Sequence, residues 1–125
     1  MNENSDETAQ LLDAVAEGIF EKQGDNVVLM DMRQLNNPVC DYFVICHAQS
    51  TTQVDAIAES VMRKVKAETR EKPLHKEGLD NCFWVLLDYS NLIVHIFVEE
   101  YRKLYNLEGL WADAETENLV DKKMK

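Results

Sequence analysis

Six side chains could ligate a metal or supply a nucleophile: Cys40, Cys46, Cys82, His47, His75 and His95. Zinc sites favour local ligand pairs, and the chain has neither a Cys-x-x-Cys nor a His-x-x-x-His spacing. Cys46 and His47 are adjacent in a strand-like run and point to opposite faces. The spacings therefore read as buried thiols and unrelated histidines. A Cys-His-Asp nucleophile is formally available. Cys46, however, reads as core, and His95 stands inside Leu92-Ile93-Val94-His95-Ile96-Phe97 as a histidine with a satisfied hydrogen bond. The four glycines, at positions 18, 24, 78 and 109, form no phosphate-cradling loop. Only Asp31, Asp41 and Asp88 could meet at strand ends to hold Mg²⁺. No catalytic, cofactor or metal residue is assigned.

Binding chemistry is better represented. In Phe83-Trp84-Val85-Leu86-Leu87-Asp88-Tyr89 alternate side chains share a face. Phe83, Val85 and Leu87 read as core. Trp84, Leu86 and Asp88 face the other way, beside a tight turn that carries Tyr89. Trp, Asp and Tyr this close together have the composition of a protein-binding hot spot. The competing reading is that Trp84 packs under a helix and Asp88 caps the hairpin. Both readings stand on the residues alone.

The elements that must position these residues follow from periodicity. Leu12, Val15, Ala16, Ile19 and Phe20 repeat at helical spacing from Thr8 to about Lys22, after a frayed start at residues 1–6. Ser5 or Asp6 could cap this helix, and Gly24 stops it. Val27–Met30 reads as a strand, Gln34–Val39 as a loop around Asn36-Asn37-Pro38, and Tyr42–Cys46 as a central strand. Ser50 with Gln53 forms a capping box for a helix ending near Arg70. A short edge strand at Leu74–Glu77 precedes an antiparallel hairpin of Cys82–Asp88 and Leu92–Val98. Glu99–Asn106 reads as a helix, and Leu104–Trp111 as core with a dimer seam as its other use. Residues 112–125 read as a mobile or weakly helical polar tail. The expected fold is a single α/β domain over residues 1–111, with a mixed sheet of about five strands flanked by helices.

Composition narrows the partners. The 125 residues carry 13 bases and 23 acids, a net charge of −10, which argues against general nucleic-acid binding. Residues 1–25 alone hold seven acids and one base. Arg63, Lys64, Lys66, Arg70, Lys72 and Lys76 cluster in the middle segment, most of them late in the second helix, where the helix dipole accounts for them; a phosphate-binding patch is the weaker reading. No apolar run reaches the roughly 20 residues of a membrane span. The N-terminus lacks the pattern of a secretory signal, and three cysteines fit a reducing, cytoplasmic location.

From about Leu11 to Trp111 the chain resembles the ribosomal silencing factor S family, the iojap-related proteins. The resemblance is carried by Asp41-Tyr42-Phe43-Val44-Ile45-Cys46, Gln53-Val54-Asp55-Ala56-Ile57-Ala58, Glu77-Gly78, Trp84-Val85-Leu86-Leu87-Asp88-Tyr89, Val94-His95-Ile96-Phe97 and the run from Arg102 to Trp111, in one order. It implies a nucleotidyltransferase-like sheet without the catalytic motif, and no enzymatic activity or cofactor. It also implies binding to the large ribosomal subunit through ribosomal protein fourteen, blocking of subunit joining and repression of translation. Direct nucleic-acid contact is then small, and no membrane is involved. The family's docking residues map onto Trp84, Asp88 and Tyr89. The chain departs from the family pattern at Cys40, Ala48, Thr52 and Ser90-Asn91; the asparagine, which tolerates positive φ, is expected to preserve the turn. The alternatives are a degenerate nucleotidyltransferase-like enzyme and a homodimeric adaptor with another target.

Overall fold

The computed structural model describes residues 3–36 and 38–122. The expectations for residues 1 and 2, for Asn37 and for residues 123–125 fall outside these. In chain order the elements are α1 (Glu3–Glu21), β1 (Asp25–Asp31), β2 (Tyr42–Ala48), α2 (Thr51–Thr69), β3 (His75–Glu77), β4 (Trp84–Asp88), β5 (Leu92–Val98), α3 (Glu99–Tyr105), α4 (Leu107–Leu110) and β6 (Glu115–Asn118). The six strands form one open sheet in the order β3-β4-β5-β2-β1-β6. Among the described residues only β2 and β5 pair in parallel, with Tyr42 opposite Leu92 and Ala48 opposite Val98. The other four pairings are antiparallel.

β2 and β5 lie at the centre, and their side chains are buried on both faces apart from the end residues. That is why both strands read as unbroken apolar runs. One face carries Val44, Cys46, Val85, Leu87, Val94 and Ile96 and is covered by Leu11, Val15 and Ile19 of α1 and Val54, Ile57, Val61 and Val65 of α2. The opposite face carries Met30, Phe43, Ile45, Ile93 and Phe97, against which Tyr101 of α3, Leu107 of α4 and Trp111 pack. At Gly18 the two covering helices touch backbone to backbone: a Cβ there would stand 2.7 Å from Val61 Cα. The buried Ser60 hydroxyl closes the crossing by donating to Gly18 O at 2.7 Å.

Four local expectations change. First, α1 begins at Glu3, so Ser5 and Asp6 lie within the helix and do not cap it; acids in the opening turns complement the dipole and let the helix extend. Second, the polar segment after Trp111 is not a loose tail throughout. Residues 115–118 add β6 to the free edge of β1, with Leu29 opposite Glu117. All four β6 side chains are exposed, so main-chain pairing forms the strand without an apolar alternation to announce it. Third, the positive φ of the β4–β5 turn falls on Ser90, at 77°, and not on Asn91. Fourth, β4 starts only at Trp84, after Cys82 at φ 57°. The alternation therefore does not reach Phe83, which is 40% exposed and leaves the core expected of it.

Candidate protein-docking face

Pairing across the sheet decides which side chains share the face opposite α1 and α2. Trp84 stands opposite Phe97, Leu86 opposite His95 and Asp88 opposite Ile93. His75 and Glu77 of β3 stand opposite Asp88 and Leu86. Towards β1 this face is roofed by Tyr101, Leu107 and Trp111; towards β3 it opens, leaving Trp84, Leu86 and Asp88 half-buried.

Trp84 is held in one orientation. Its indole stacks on Phe97 at 5.0 Å and meets the Tyr105 ring at 4.8 Å. Its Nε1–H donates to His95 Nδ1 at 3.1 Å. An indole only donates, so Nδ1 must be the unprotonated nitrogen and His95 is neutral, with its proton on Nε2. Burial drives the His95 pKa down to about 4, which agrees. The Nε2–H has no partner among the described residues. His95 is therefore a support beneath the indole, edge-on to Phe43 at 4.6 Å, and its hydrogen bond is the one sequence reasoning expected without a named partner.

Around Trp84 lies further exposed apolar surface. Phe83 stacks on Tyr101 at 4.9 Å. Tyr105 is 50% exposed, Leu104 71% and Leu110 70%. Leu104–Trp111 thus divides: Leu107 and Trp111 pack inward, while Leu104, Tyr105 and Leu110 do not. The phase of the short helices α3 and α4, which turns these side chains outward, was not visible in so few residues. Carboxylates edge this surface, with Asp88 and Glu77 on the β3 side.

Asp88 also shapes the turn, because its Oδ1 accepts from Ser90 N–H at 2.7 Å. Hence the two readings of Asp88 are not exclusive: it caps the hairpin from a half-buried position on the open face. Tyr89 differs from the expectation. It follows the alternation of Val85 and Leu87 into the core beneath α1 and α2 and is only 3% exposed. Its hydroxyl has no partner among the described residues, and burial raises its pKa to about 12. It cannot form the rim of a surface.

The residues first weighed for catalysis are dispersed. Cys40, Cys46 and Cys82 are free and buried. Burial raises the Cys40 thiol to about 11 and the Cys46 thiol to about 12. Among the described residues no group of three or more His, Cys, Asp or Glu could hold a metal ion. Asp31 pairs with the Arg33 guanidinium at 2.7 Å, which lowers its pKa. His47 lies in a network instead. Arg102 is buried and donates from Nη1 to Asn26 O at 2.7 Å and to His47 Nδ1 at 2.9 Å. Its Nε and Nη2 grip the Glu108 carboxylate at 3.0 and 3.2 Å. Burial and the adjacent guanidinium both lower the His47 pKa. The network ties β1 and β2 to α3 and α4 and so fixes the roof beside Trp84. A polar cavity of about 310 Å³ opens at this network, and one of about 280 Å³ lies on the far side of the molecule, between α1, Lys64 and Val120–Lys122.

Such a fold, with an aromatic face open at one side and edged by carboxylates, is a single domain of the mixed α/β class. The family model described as "Ribosomal silencing factor during starvation" matches residues 5–125. The chain belongs to this ribosomal silencing factor family. It is similar to the ribosomal silencing factor of Bacillus subtilis, being 37% identical over 107 residues, 83% of this chain and 86% of the relative. A crystal structure of a protein from Bacillus halodurans superposes with a TM-score of 0.74 at 34% identity, covering 89% of this chain and 99% of that one. A mouse protein named "Mitochondrial assembly of ribosomal large subunit protein 1" is 34% identical over 73 residues, 57% of this chain and 32% of that one.

Proposed function

We propose that this chain docks on the large ribosomal subunit through ribosomal protein fourteen, with the open face around Trp84 and Asp88, and that its bulk then blocks joining of the small subunit and represses translation. The observation that carries this reading is the indole of Trp84, fixed by His95 and Phe97 yet only partly buried, with Asp88 further along the same face. A rigid aromatic loses little side-chain entropy on binding, so the area it buries contributes to affinity. Ribosomal proteins are basic, so a carboxylate beside that anchor favours pairing with a lysine or arginine. Family membership supports the target, and the name of the mouse relative points to the large subunit. The role needs no catalysis, and its site of action is the cytoplasm, where ribosomes work. Tyr89 contributes indirectly, by anchoring the turn that carries Asp88.

Purified protein, Trp84→Ala and Asp88→Asn would be co-sedimented with large subunits, and small subunits added. The asparagine keeps an oxygen for Ser90 N–H and removes only the charge. Binding and blocked joining by the unaltered protein, with both lost in Trp84→Ala, is the expected result. Equal binding by all three would sink the reading.

The exposed Leu104, Tyr105 and Leu110 favour one companion reading: the free chain pairs with a second copy over this patch. Sedimentation equilibrium of the unaltered protein and Leu104→Lys tests it; a monomer at tens of micromolar ends it.

A further inference from the structure

The acidic charge of this protein hides a segregated basic segment. Residues 63–76 contain six bases and two acids, a net of +4, so the remaining residues carry −14. Of the eleven described lysines and arginines, six are paired with carboxylates: Arg33, Arg63, Lys64, Arg102, Lys103 and Lys122. Four of the other five are Lys66, Arg70, Lys72 and Lys76, all exposed, and none has a side-chain partner among the described residues. Lys66 and Arg70 sit at the end of α2, where the helix dipole favours cations. Lys72 and Lys76 lie beyond it, in the connection and in β3, where no helix dipole acts.

This segment meets the proposed docking face at the β3 edge of the sheet, with Lys76 on the α2 side of that edge. Leu74, 76% exposed, donates its N–H to Asp88 O at 2.8 Å. His75 stands opposite Asp88, and Lys76 opposite Leu87. Unpaired cations around the sheet edge from a carboxylate suited to a basic protein gain nothing from that same protein. They suit an anion lying beside it.

We propose that Lys66, Arg70, Lys72 and Lys76 form a second contact surface that takes the phosphate backbone of ribosomal RNA adjoining the protein dock. The inference rests on the docking reading above and adds a second partner to it. The overall charge of −10 keeps the chain off RNA in general, and the short basic edge engages phosphate only once the neighbouring face is seated. Two contacts of opposite sign then set the orientation on the subunit, which a single aromatic anchor does not.

The test uses Lys72→Glu/Lys76→Glu, whose altered side chains are exposed and unpaired in the fold. Affinity for purified large subunits would be measured across a salt series, together with affinity for isolated ribosomal protein fourteen and hydroxyl-radical protection of the subunit's RNA. The expected result is about tenfold weaker subunit binding at low salt and a log–log salt slope shallower by about 1.5, at roughly 0.7–0.9 for each phosphate no longer neutralised. Binding to the isolated protein is unchanged, and a patch of RNA protection disappears. Unchanged subunit affinity and slope overturn the inference while leaving the docking reading in place. Weaker binding with RNA protection unchanged also overturns it and assigns the cations to an acidic protein surface. If the unaltered protein binds neither subunit nor isolated protein, the docking reading fails and this inference fails with it.

Discussion

Trp84 and Tyr89 lie close in the chain and serve opposite ends. Trp84 is a presented anchor: its indole N–H is satisfied by His95, so partner contact need not desolvate a lone donor. Truncation to alanine is expected to cost at least about 2 kcal/mol of binding, roughly 30-fold in affinity for the large subunit. Titration of subunits against the labelled variant reads this out, and unfolding in urea separates it from loss of fold. Tyr89 makes the opposite prediction. Its buried hydroxyl has no partner among the described residues, and an unsatisfied buried polar group costs on the order of 1–3 kcal/mol. Tyr89→Phe is therefore expected to leave stability equal or raise it by about 1 kcal/mol, and to leave subunit binding unchanged. A large loss of binding in that variant, with the fold intact, would restore Tyr89 to the contact surface.

The β4–β5 hairpin shows what the sequence disclosed and what it withheld. Its two strands, their antiparallel pairing and the shared face of Trp84, Leu86 and Asp88 were all readable from alternation. The same period places 85, 87 and 89 together, so the burial of Tyr89 was available as well, had the alternation been carried into the turn. Phe83 and β6 were not available. Phe83 is turned out by the positive φ at Cys82, a backbone choice that no side-chain pattern encodes. β6 exists through main-chain hydrogen bonds to β1, with every side chain in solvent. The turn itself carries strain at Ser90, whose φ of 77° disfavours any residue with a Cβ. Ser90→Gly should relieve this and stabilise the protein by up to about 1 kcal/mol, seen as a higher urea midpoint with unchanged slope. A lower midpoint would mean that the freedom glycine adds to the unfolded chain outweighs the relief, since the main-chain N–H at position 90 keeps its bond to Asp88 in either protein.

Buried imidazoles link the assembled domain to pH. His95 and His47 both have pKa values lowered in the fold, His95 to about 4, chiefly by burial. A group with a lowered folded pKa binds more protons when unfolded, so stability rises with pH wherever the two states differ. For His95 the window runs from its ordinary value of 6.5 down to about 4. Its contribution is fully present above pH 6.5 and is lost as the pH falls through this window. At about 1.4 kcal/mol per unit, the loss from His95 is on the order of 3 kcal/mol, a large part of the stability of a domain this size. Carboxylates such as Asp31, Glu21 and Glu99, whose pKa values are also lowered, begin to cost stability only as the pH approaches their ordinary values of 3.8 and 4.5, at the acid end of this window. Urea midpoints measured from about pH 7.5 to about pH 4.5 should therefore fall steadily, and His95→Gln, which keeps an acceptor for Trp84, should flatten the slope. Because protonated His95 can no longer accept from the indole, the Trp84 anchor should loosen only as the pH nears about 4, where the folded imidazole takes its proton; above that, subunit affinity should hold while stability falls. A midpoint independent of pH above about pH 5 would show that His95 is not a neutral support for the indole.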